Sequence, residues 1–130
     1  MTDSLADWRE ACERDVLARL PDETVRLVFG DGNADSPPLM LVGEAPGEQE
    51  TLQGKPFVGK AGKNLNAFLS AVGLTRTELY VSNVVKYRPT KTSNAGRTVN
   101  RPPTPAEVRA FIPWLWRQVA LVRSRALVTL

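Results

Sequence analysis

The sequence has no histidine and only one cysteine, Cys12, among its 130 residues. The absence of histidine removes the side chain most often used for general acid–base catalysis and for binding zinc. A single cysteine cannot form an internal disulfide or hold a metal cluster by itself, which favours a reducing cytoplasm. The first four residues, MTDS, lack the basic and apolar segments of a signal peptide. We therefore expect a cytoplasmic protein.

Long apolar runs and an even distribution of charge are also missing. No stretch approaches the ~20 apolar residues of a membrane-spanning helix, so we expect no membrane association. Residues 1–50 hold 4 Lys/Arg and 12 Asp/Glu, whereas residues 51–130 hold 13 Lys/Arg and only 2 Asp/Glu. A basic block of this kind suits a polyanion such as nucleic acid. Arginine-rich helix faces on an ordinary solvated surface are the other explanation, and charge alone does not separate the two.

The pattern of apolar residues predicts a single α/β domain in which strands and helices alternate. Apolar residues recur at helical spacing in some segments and form short continuous runs, typical of buried parallel strands, in others. Ser4 and Thr104 each begin a capping-box pattern. The expected elements are a helix over residues 4–20, a loop over 31–38, a strand over 39–42, a helix over 61–72, a strand over 79–85, a loop over 89–103, a helix from 104 and a strand from 126.

Right-handed crossovers between such strands give a three-layer α/β/α fold with a central parallel sheet. The sequence stops at the third strand, which would leave an apolar sheet edge poorly protected. We therefore expect the C-terminal part of the domain to be missing from this chain.

Three segments carry side chains suited to a binding site. Residues 43–50 (GEAPGEQE) follow the first strand directly, and ligands of open α/β sheets bind beyond the carboxyl ends of the strands. Residues 54–62 (GKPFVGKAG) set Phe57 among three glycines, where its ring can stack on a planar base. Asn83 lies within an apolar strand, where its carboxamide needs hydrogen-bond partners.

Each segment also has an ordinary structural interpretation. Residues 43–50 can be a strand-to-helix turn, Phe57 a core residue that anchors a loop, and Asn83 a tie to a neighbouring loop. If Asn83 reads a base edge instead, its amide matches the N3–H and O4 of uracil and rejects cytosine, whose pattern is reversed. The glycine spacing does not fit the P-loop of nucleotide-hydrolysing proteins.

Together these segments resemble the family 4 uracil-DNA glycosylases. The resemblance covers residues 25–130, which we expect to form the motif-bearing core, and leaves residues 1–24 as an N-terminal helical segment. The matching text is LMLVGEAPGEQETLQGKPFVGKAG, then YVSNVVKYRP, then NRPPTPAE, then PWL. The resemblance implies base-excision repair, in which a deoxyuridine flipped out of DNA loses uracil by hydrolysis and leaves an abasic site. Uracil-containing DNA is the implied partner, and no protein partner is indicated.

The resemblance also implies roles for single residues. The residues implied to contact uracil are Gly43, Glu44, Ala45, Pro46, Phe57 and Asn83. The residues implied to act in catalysis are Glu44, Glu50 and Asn83. Those expected near the DNA backbone are Lys86, Arg88, Lys91, Arg97 and Arg101. Because Ala45 stands where another glycosylase family has a catalytic Asp, catalysis would depend on stabilising the uracil anion and the cationic sugar.

The resemblance further implies that this chain has no cofactor. Family members with an iron–sulfur cluster use four cysteines, and two of those positions are Tyr87 and Phe111 here, while Cys12 is solitary. We expect no bound metal, with the two aromatic rings filling the vacated volume.

Two further departures from the family concern the substrate. Residues 90–99 are an insertion, interpreted as a basic loop near the DNA backbone or as a solvated surface loop. A related branch bonds covalently to DNA through a histidine, for which the candidate position here is Asn100, not a comparable nucleophile. The family's His-Pro motif is absent, and the loss of one such donor typically costs ~10²–10³ in rate.

Three hypotheses remain open on the sequence alone. The first and leading hypothesis is a DNA-repair glycosylase or a truncated member of that family. The second is a module that binds uracil or DNA without cleavage, and the third is a generic α/β nucleotide-binding domain. The first two share every motif, and the absent histidine favours the second.

Overall fold

A four-stranded sheet is the middle layer of the computed structural model, which describes residues 4–20 and 24–130. The strands are β1 (Asp31–Gly32), β2 (Leu39–Gly43), β3 (Tyr80–Asn83), β4 (Thr90–Thr92), β5 (Thr98–Asn100) and β6 (Ala126–Thr129). In the main sheet the order is β1–β3–β2–β6, with β2 parallel to both neighbours and β1 antiparallel to β3. β4 and β5 pair with each other as a separate antiparallel hairpin.

Four α-helices surround the sheet: α1 (Leu5–Arg19), α2 (Glu48–Gln53), α3 (Lys60–Ala71) and α4 (Pro105–Val122). A 3-10 turn, Arg76–Glu78, leads into β3. Among the residues that the structure describes, no helix is long and apolar enough to cross a bilayer.

The strongly apolar elements lie where the sequence predicts them. α1 and α4 begin after Ser4 and Thr104, and each of these side chains accepts a hydrogen bond from the backbone amide three residues on, in a capping box. β2 and β3 are parallel and buried, as continuous apolar runs indicate. The predicted N-terminal segment, residues 1–24, includes residues 1–3 and 21–23, which lie outside the described residues.

Two predicted loops contain strands, so the sequence-based assignment is wrong there. Residues 31–38 include β1, and residues 89–103 include the β4–β5 hairpin, whose tip has Gly96 at φ +78°. The prediction also missed α2. These short elements are polar, and α2 has no buried residue, so the apolar periodicity that reveals longer elements is absent.

The core is divided between the two faces of the sheet, which confirms the three-layer α/β/α architecture. On one face, α1 and α4 pack against each other and against alternate residues of β2 and β3. On the other face, Leu65 and Leu69 of α3 contact Leu41 and Val81. This packing fixes the carboxyl ends of β2 and β3 side by side, next to the start of α3.

Candidate functional site

Phe57 and Asn83 converge at the carboxyl ends of β2 and β3. Gly43 and Asn83 are register partners across the two parallel strands. A methyl group built on Gly43 would lie 2.5 Å from both Asn83 Oδ1 and Phe57 Cζ, so the amide and the ring meet over the same glycine. Both residues line a cavity of about 330 Å³. The structure therefore brings together the aromatic ring and the carboxamide that the sequence singled out.

The Asn83 side chain is buried and unpaired. The residue is only 2% exposed, and its carboxamide has no hydrogen-bond partner among the described residues. Within that part of the chain, no fully buried side-chain nitrogen or oxygen lacks a partner, so the Asn83 amide atoms must border the open space of the cavity. Water in the cavity can pair with these atoms until a ligand takes its place. This arrangement is typical of a group that binds a ligand.

The position of Phe57 is set by its backbone. Phe57 has a left-handed φ of +54°, uncommon for a side chain of its size. Arg76, from the turn before β3, donates to the carbonyls of Phe57 and Pro56, the latter at 2.8 Å. A Cβ on Gly62 would collide with the Phe57 carbonyl. Arg76 and Gly62 thus hold the loop that presents the ring, and the sequence analysis missed this use of Arg76.

Glu50 joins the two loops of the site. Its Oε1 accepts from the Gly47 amide at 2.9 Å, and its Oε2 accepts from the amides of Val58 and Gly59 at 3.0 and 2.6 Å. The carboxylate therefore bridges the loop after β2 and the loop that carries Phe57. Charge-assisted hydrogen bonds of this kind are about twice as strong as neutral ones.

We expect Glu50→Gln to lower the free energy of unfolding by about 2 kcal/mol, because an amide nitrogen cannot accept from the backbone N–H groups that it would face. Urea unfolding followed by tryptophan fluorescence measures this change, with Glu10→Gln on the exposed side of α1 as the matched control. An unchanged stability combined with lost activity would instead indicate that the Glu50 carboxylate acts on the substrate.

The other residues predicted from the loop after β2 are divided between two parts of one cleft. Ala45 lines the cavity beside Phe57, whereas Glu44 and Pro46 line only the adjoining part. The Glu44 side chain is exposed. Asn100, at the end of β5, lines both parts, although the sequence analysis did not place it in the pocket. The signals for Asn100 were its place immediately after the insertion and its match to the position of the DNA-bonding histidine in a related branch.

Arg88 connects the hairpin to α2 rather than lying free at the surface. Its Nε donates to Asn100 Oδ1 at 2.6 Å, and its Nη2 lies 3.9 Å from Glu48 Oε2. Arg101 forms a two-point ion pair with Glu107, at 2.6 and 3.2 Å. Both guanidinium groups are therefore bound within the protein, and their contact with DNA stays a prediction.

Exposed cations come from other positions. Lys91 and Arg97 are exposed on the β4–β5 hairpin, so the insertion carries free positive charge. Lys60, at the start of α3, lines the cavity itself and was not predicted. The prediction for Lys86 is wrong: the residue is 0% exposed and cannot reach a DNA backbone.

Lys86 is instead the centre of a buried polar cluster. Its Nζ donates to Ser82 Oγ at 2.9 Å, to Gln118 Oε1 at 2.7 Å and to the backbone carbonyl of Asn83. Burial lowers the pKa of Lys86 to about 7.

The titration of Lys86 makes the free energy of unfolding depend on pH. Between its folded pKa of about 7 and its ordinary value of 10.5, the unfolded chain binds a proton that the folded chain does not. The free energy of unfolding therefore rises with pH, by up to about 1.4 kcal/mol per pH unit. Cys12 opposes this rise above its ordinary pKa of 9.0, because burial raises the folded value to about 11.

Urea unfolding should show increasing stability from pH 7 towards pH 9, and a flat profile for Lys86→Met. A wild-type stability that falls across this interval would contradict the burial of a titrating lysine.

The positions expected to replace cluster ligands are filled by packed aromatic rings. Tyr87 and Phe111 make an edge-to-face contact, with ring centroids 5.5 Å apart and an interplanar angle of 76°. The Tyr87 hydroxyl donates to Glu107. In residues 4–20 and 24–130, no group of three or more His, Cys, Asp or Glu could hold a metal ion. These side chains do not fit an iron–sulfur cluster, because neither ring can supply a thiolate.

Comparison with known proteins identifies a family whose model covers most of the chain. Residues 29–130 match the family model described as the uracil DNA glycosylase superfamily. The chain is similar to the Type-4 uracil-DNA glycosylase of Saccharolobus solfataricus, with 36% identity over 129 residues, which are 98% of this chain and 54% of that protein. The Type-4 uracil-DNA glycosylase of Archaeoglobus fulgidus is 43% identical over 103 residues, 79% of this chain and 47% of that protein. That of Thermotoga maritima is 39% identical over 104 residues, 80% and 50% of the two chains. The chain thus spans about half the length of the curated relatives it matches.

Proposed function

Because the chain belongs to the uracil DNA glycosylase superfamily, we propose that its cleft binds a uracil flipped out of DNA and that the protein hydrolyses the bond between that base and its sugar. The observation that carries this proposal is the unpaired, 2% exposed carboxamide of Asn83, set beside the Phe57 ring over Gly43. A flat apolar face next to a buried donor–acceptor pair suits one planar base.

Asn83 recognises the edge of the base. Its Oδ1 accepts from uracil N3–H and its Nδ2 donates to O4, while Phe57 stacks on the ring. Cytosine carries an acceptor at N3 and a donor at N4, so both contacts would become unfavourable. A buried amide left facing the wrong groups rejects such a base strongly, because its polar atoms stay unpaired.

The reaction breaks the C1′–N1 bond and adds water at C1′. The bonding electron pair leaves with uracil, whose negative charge spreads from N1 to its carbonyl oxygens. The Asn83 Nδ2–H bond to O4 strengthens as that charge builds, which lowers the barrier. The sugar becomes cationic, and Glu44, exposed in the adjoining part of the cleft, stabilises this positive charge. The attacking water keeps one proton in the new 1′-hydroxyl and gives the other to solvent, from which the uracil anion takes the proton for N1. Glu50 positions the two loops.

The DNA strand is held by cations around the cleft. Lys91 and Arg97 on the exposed hairpin, and Lys60 at the cavity, contact phosphates in this proposal. Such contacts weaken steeply with salt, because each releases condensed counterions. In this proposal the reaction needs no cofactor, which is supported by the contact between the Tyr87 and Phe111 rings at two positions where cluster ligands would stand.

A second function, binding of uracil-containing DNA without cleavage, is supported by one observation. These 130 residues contain no histidine, so they supply no imidazole to donate to uracil O2 as the base leaves.

An end-labelled oligonucleotide with a single uracil distinguishes the two functions. After incubation with the chain and then alkali, cleavage of the strand at the uracil position supports the glycosylase, and the matching cytosine oligonucleotide serves as the control. Retention on a native gel without cleavage would support binding alone. An oligonucleotide that is neither cleaved nor retained would contradict both functions.

A further inference from the structure

A buried polar cluster lies on the face of the sheet opposite to the uracil pocket. Side chains alternate along β3, so Val81 and Asn83 face α3 and the pocket, whereas Tyr80 and Ser82 face α4. Lys86 and Gln118 complete the cluster on the α4 side, and both are 0% exposed. The cluster contacts Asn83, which lines the pocket, through the backbone carbonyl oxygen of that residue.

The hydrogen bonds of the cluster define a single arrangement. The Lys86 ammonium uses its three donors on three acceptors: Ser82 Oγ, Gln118 Oε1 and the Asn83 carbonyl. Gln118 is oriented in turn, because its Nε2 donates to the Tyr80 hydroxyl at 3.1 Å. The segment that carries Asn83 is thereby tied to α4.

We propose that Lys86 is a positioning residue for base recognition, which holds the Asn83 peptide from behind so that the Asn83 carboxamide stays aimed at the base. This inference rests on the proposed function. The Asn83 side chain has no hydrogen-bond partner of its own among the described residues, so its orientation depends on its backbone. A misplacement of ~1 Å at a reacting site can cost about 10²-fold in rate.

Protonation of Lys86 decides how many of these bonds exist. As a neutral amine, Lys86 has two donors instead of three, so one of these three hydrogen bonds is lost or reverses its direction. The groups that face Lys86 are Cys12 and the Trp8 ring on α1, Ser82 on β3 and Gln118 on α4. Of these only Cys12 titrates, and burial keeps its thiol protonated by raising its pKa to about 11. Of these groups, Lys86 is therefore the one that changes its protonation near neutral pH, where its pKa lies at about 7.

Nuclear magnetic resonance of the wild-type chain tests the coupling without any substrate. The Lys86 Cε resonance and the Asn83 side-chain amide resonances are followed across about one pH unit on each side of the Lys86 pKa. We expect the Asn83 amide to shift with the same midpoint as Lys86. An Asn83 amide that stays constant while Lys86 titrates would overturn the proposal.

A pair of matched variants tests the consequence for recognition. Lys86→Met removes the amino group, and Lys63→Met removes the same charge from an exposed position of α3. We expect Lys86→Met to lose its uracil–cytosine discrimination and about 10²-fold in kcat/KM, with Lys63→Met unchanged. Wild-type discrimination in a folded Lys86→Met chain would overturn the proposal, and if that variant does not fold, the wild-type titration decides. If the wild-type chain neither binds nor cleaves uracil-containing DNA, the proposed function is refuted. The coupling between the Lys86 and Asn83 resonances is measured without substrate, so its result does not depend on that function.

Discussion

Replacing Asn83 by aspartate is expected to lower uracil excision by at least ~10²–10³-fold, the effect of removing one donor to a developing anion. Aspartate has nearly the same shape but offers acceptors only, so it cannot donate to uracil O4. Its negative charge would also repel the charge that builds on the departing base. Single-turnover excision from a uracil oligonucleotide measures this loss directly.

Asn64→Asp is the matched control for this experiment. Asn64 is exposed on α3, so the same change of charge is made outside the pocket. We expect the control to keep wild-type excision, and unfolding curves for both variants separate lost recognition from lost folding. A folded Asn83→Asp chain with near wild-type excision would rule out the role of the carboxamide.

Gly43→Ala is expected to disrupt the site with a single methyl group. That methyl would stand 2.5 Å from both Asn83 Oδ1 and Phe57 Cζ, so these side chains would have to move from their positions. We expect uracil binding and excision to fall by at least about 10²-fold, because the base can no longer reach the amide in a productive geometry. Uracil affinity measured by calorimetry, together with an unfolding curve, tests this prediction.

Gly73→Ala provides a contrasting substitution. Nothing lies within 4 Å of a methyl group on Gly73, but its φ of +78° makes alanine strained there. We expect a loss of about 1 kcal/mol in stability and no change in uracil affinity. If Gly43→Ala binds uracil as the wild type does, the base does not lie between Phe57 and Asn83.

The parts of the fold that the sequence revealed are those with strong apolar patterns. β2 and β3 are buried on both faces, so their continuous apolar runs could be read directly. α2 and the β4–β5 hairpin are short and polar, and their formation depends on contacts that no local pattern records. The resemblance to the family is confirmed by the match over residues 29–130.

The sequence pointed to residues that line the cavity, but not to the residues that hold them in position. The order of the motifs pointed to Phe57 and Asn83, and both line one cavity. Arg76 reaches the Phe57 carbonyl from 19 residues away, a contact that only the folded chain makes. Lys86 follows a strand in the sequence and was taken for a surface cation, because a charge gives no sign of its burial when its partners are as distant as Gln118.

A crystal structure of the chain soaked with uracil tests the central claim most directly. The account predicts one uracil stacked on the Phe57 ring above Gly43, with N3–H and O4 within hydrogen-bond distance of the Asn83 carboxamide. Uracil bound elsewhere, or a cavity that stays free of uracil at saturating concentration, would contradict it.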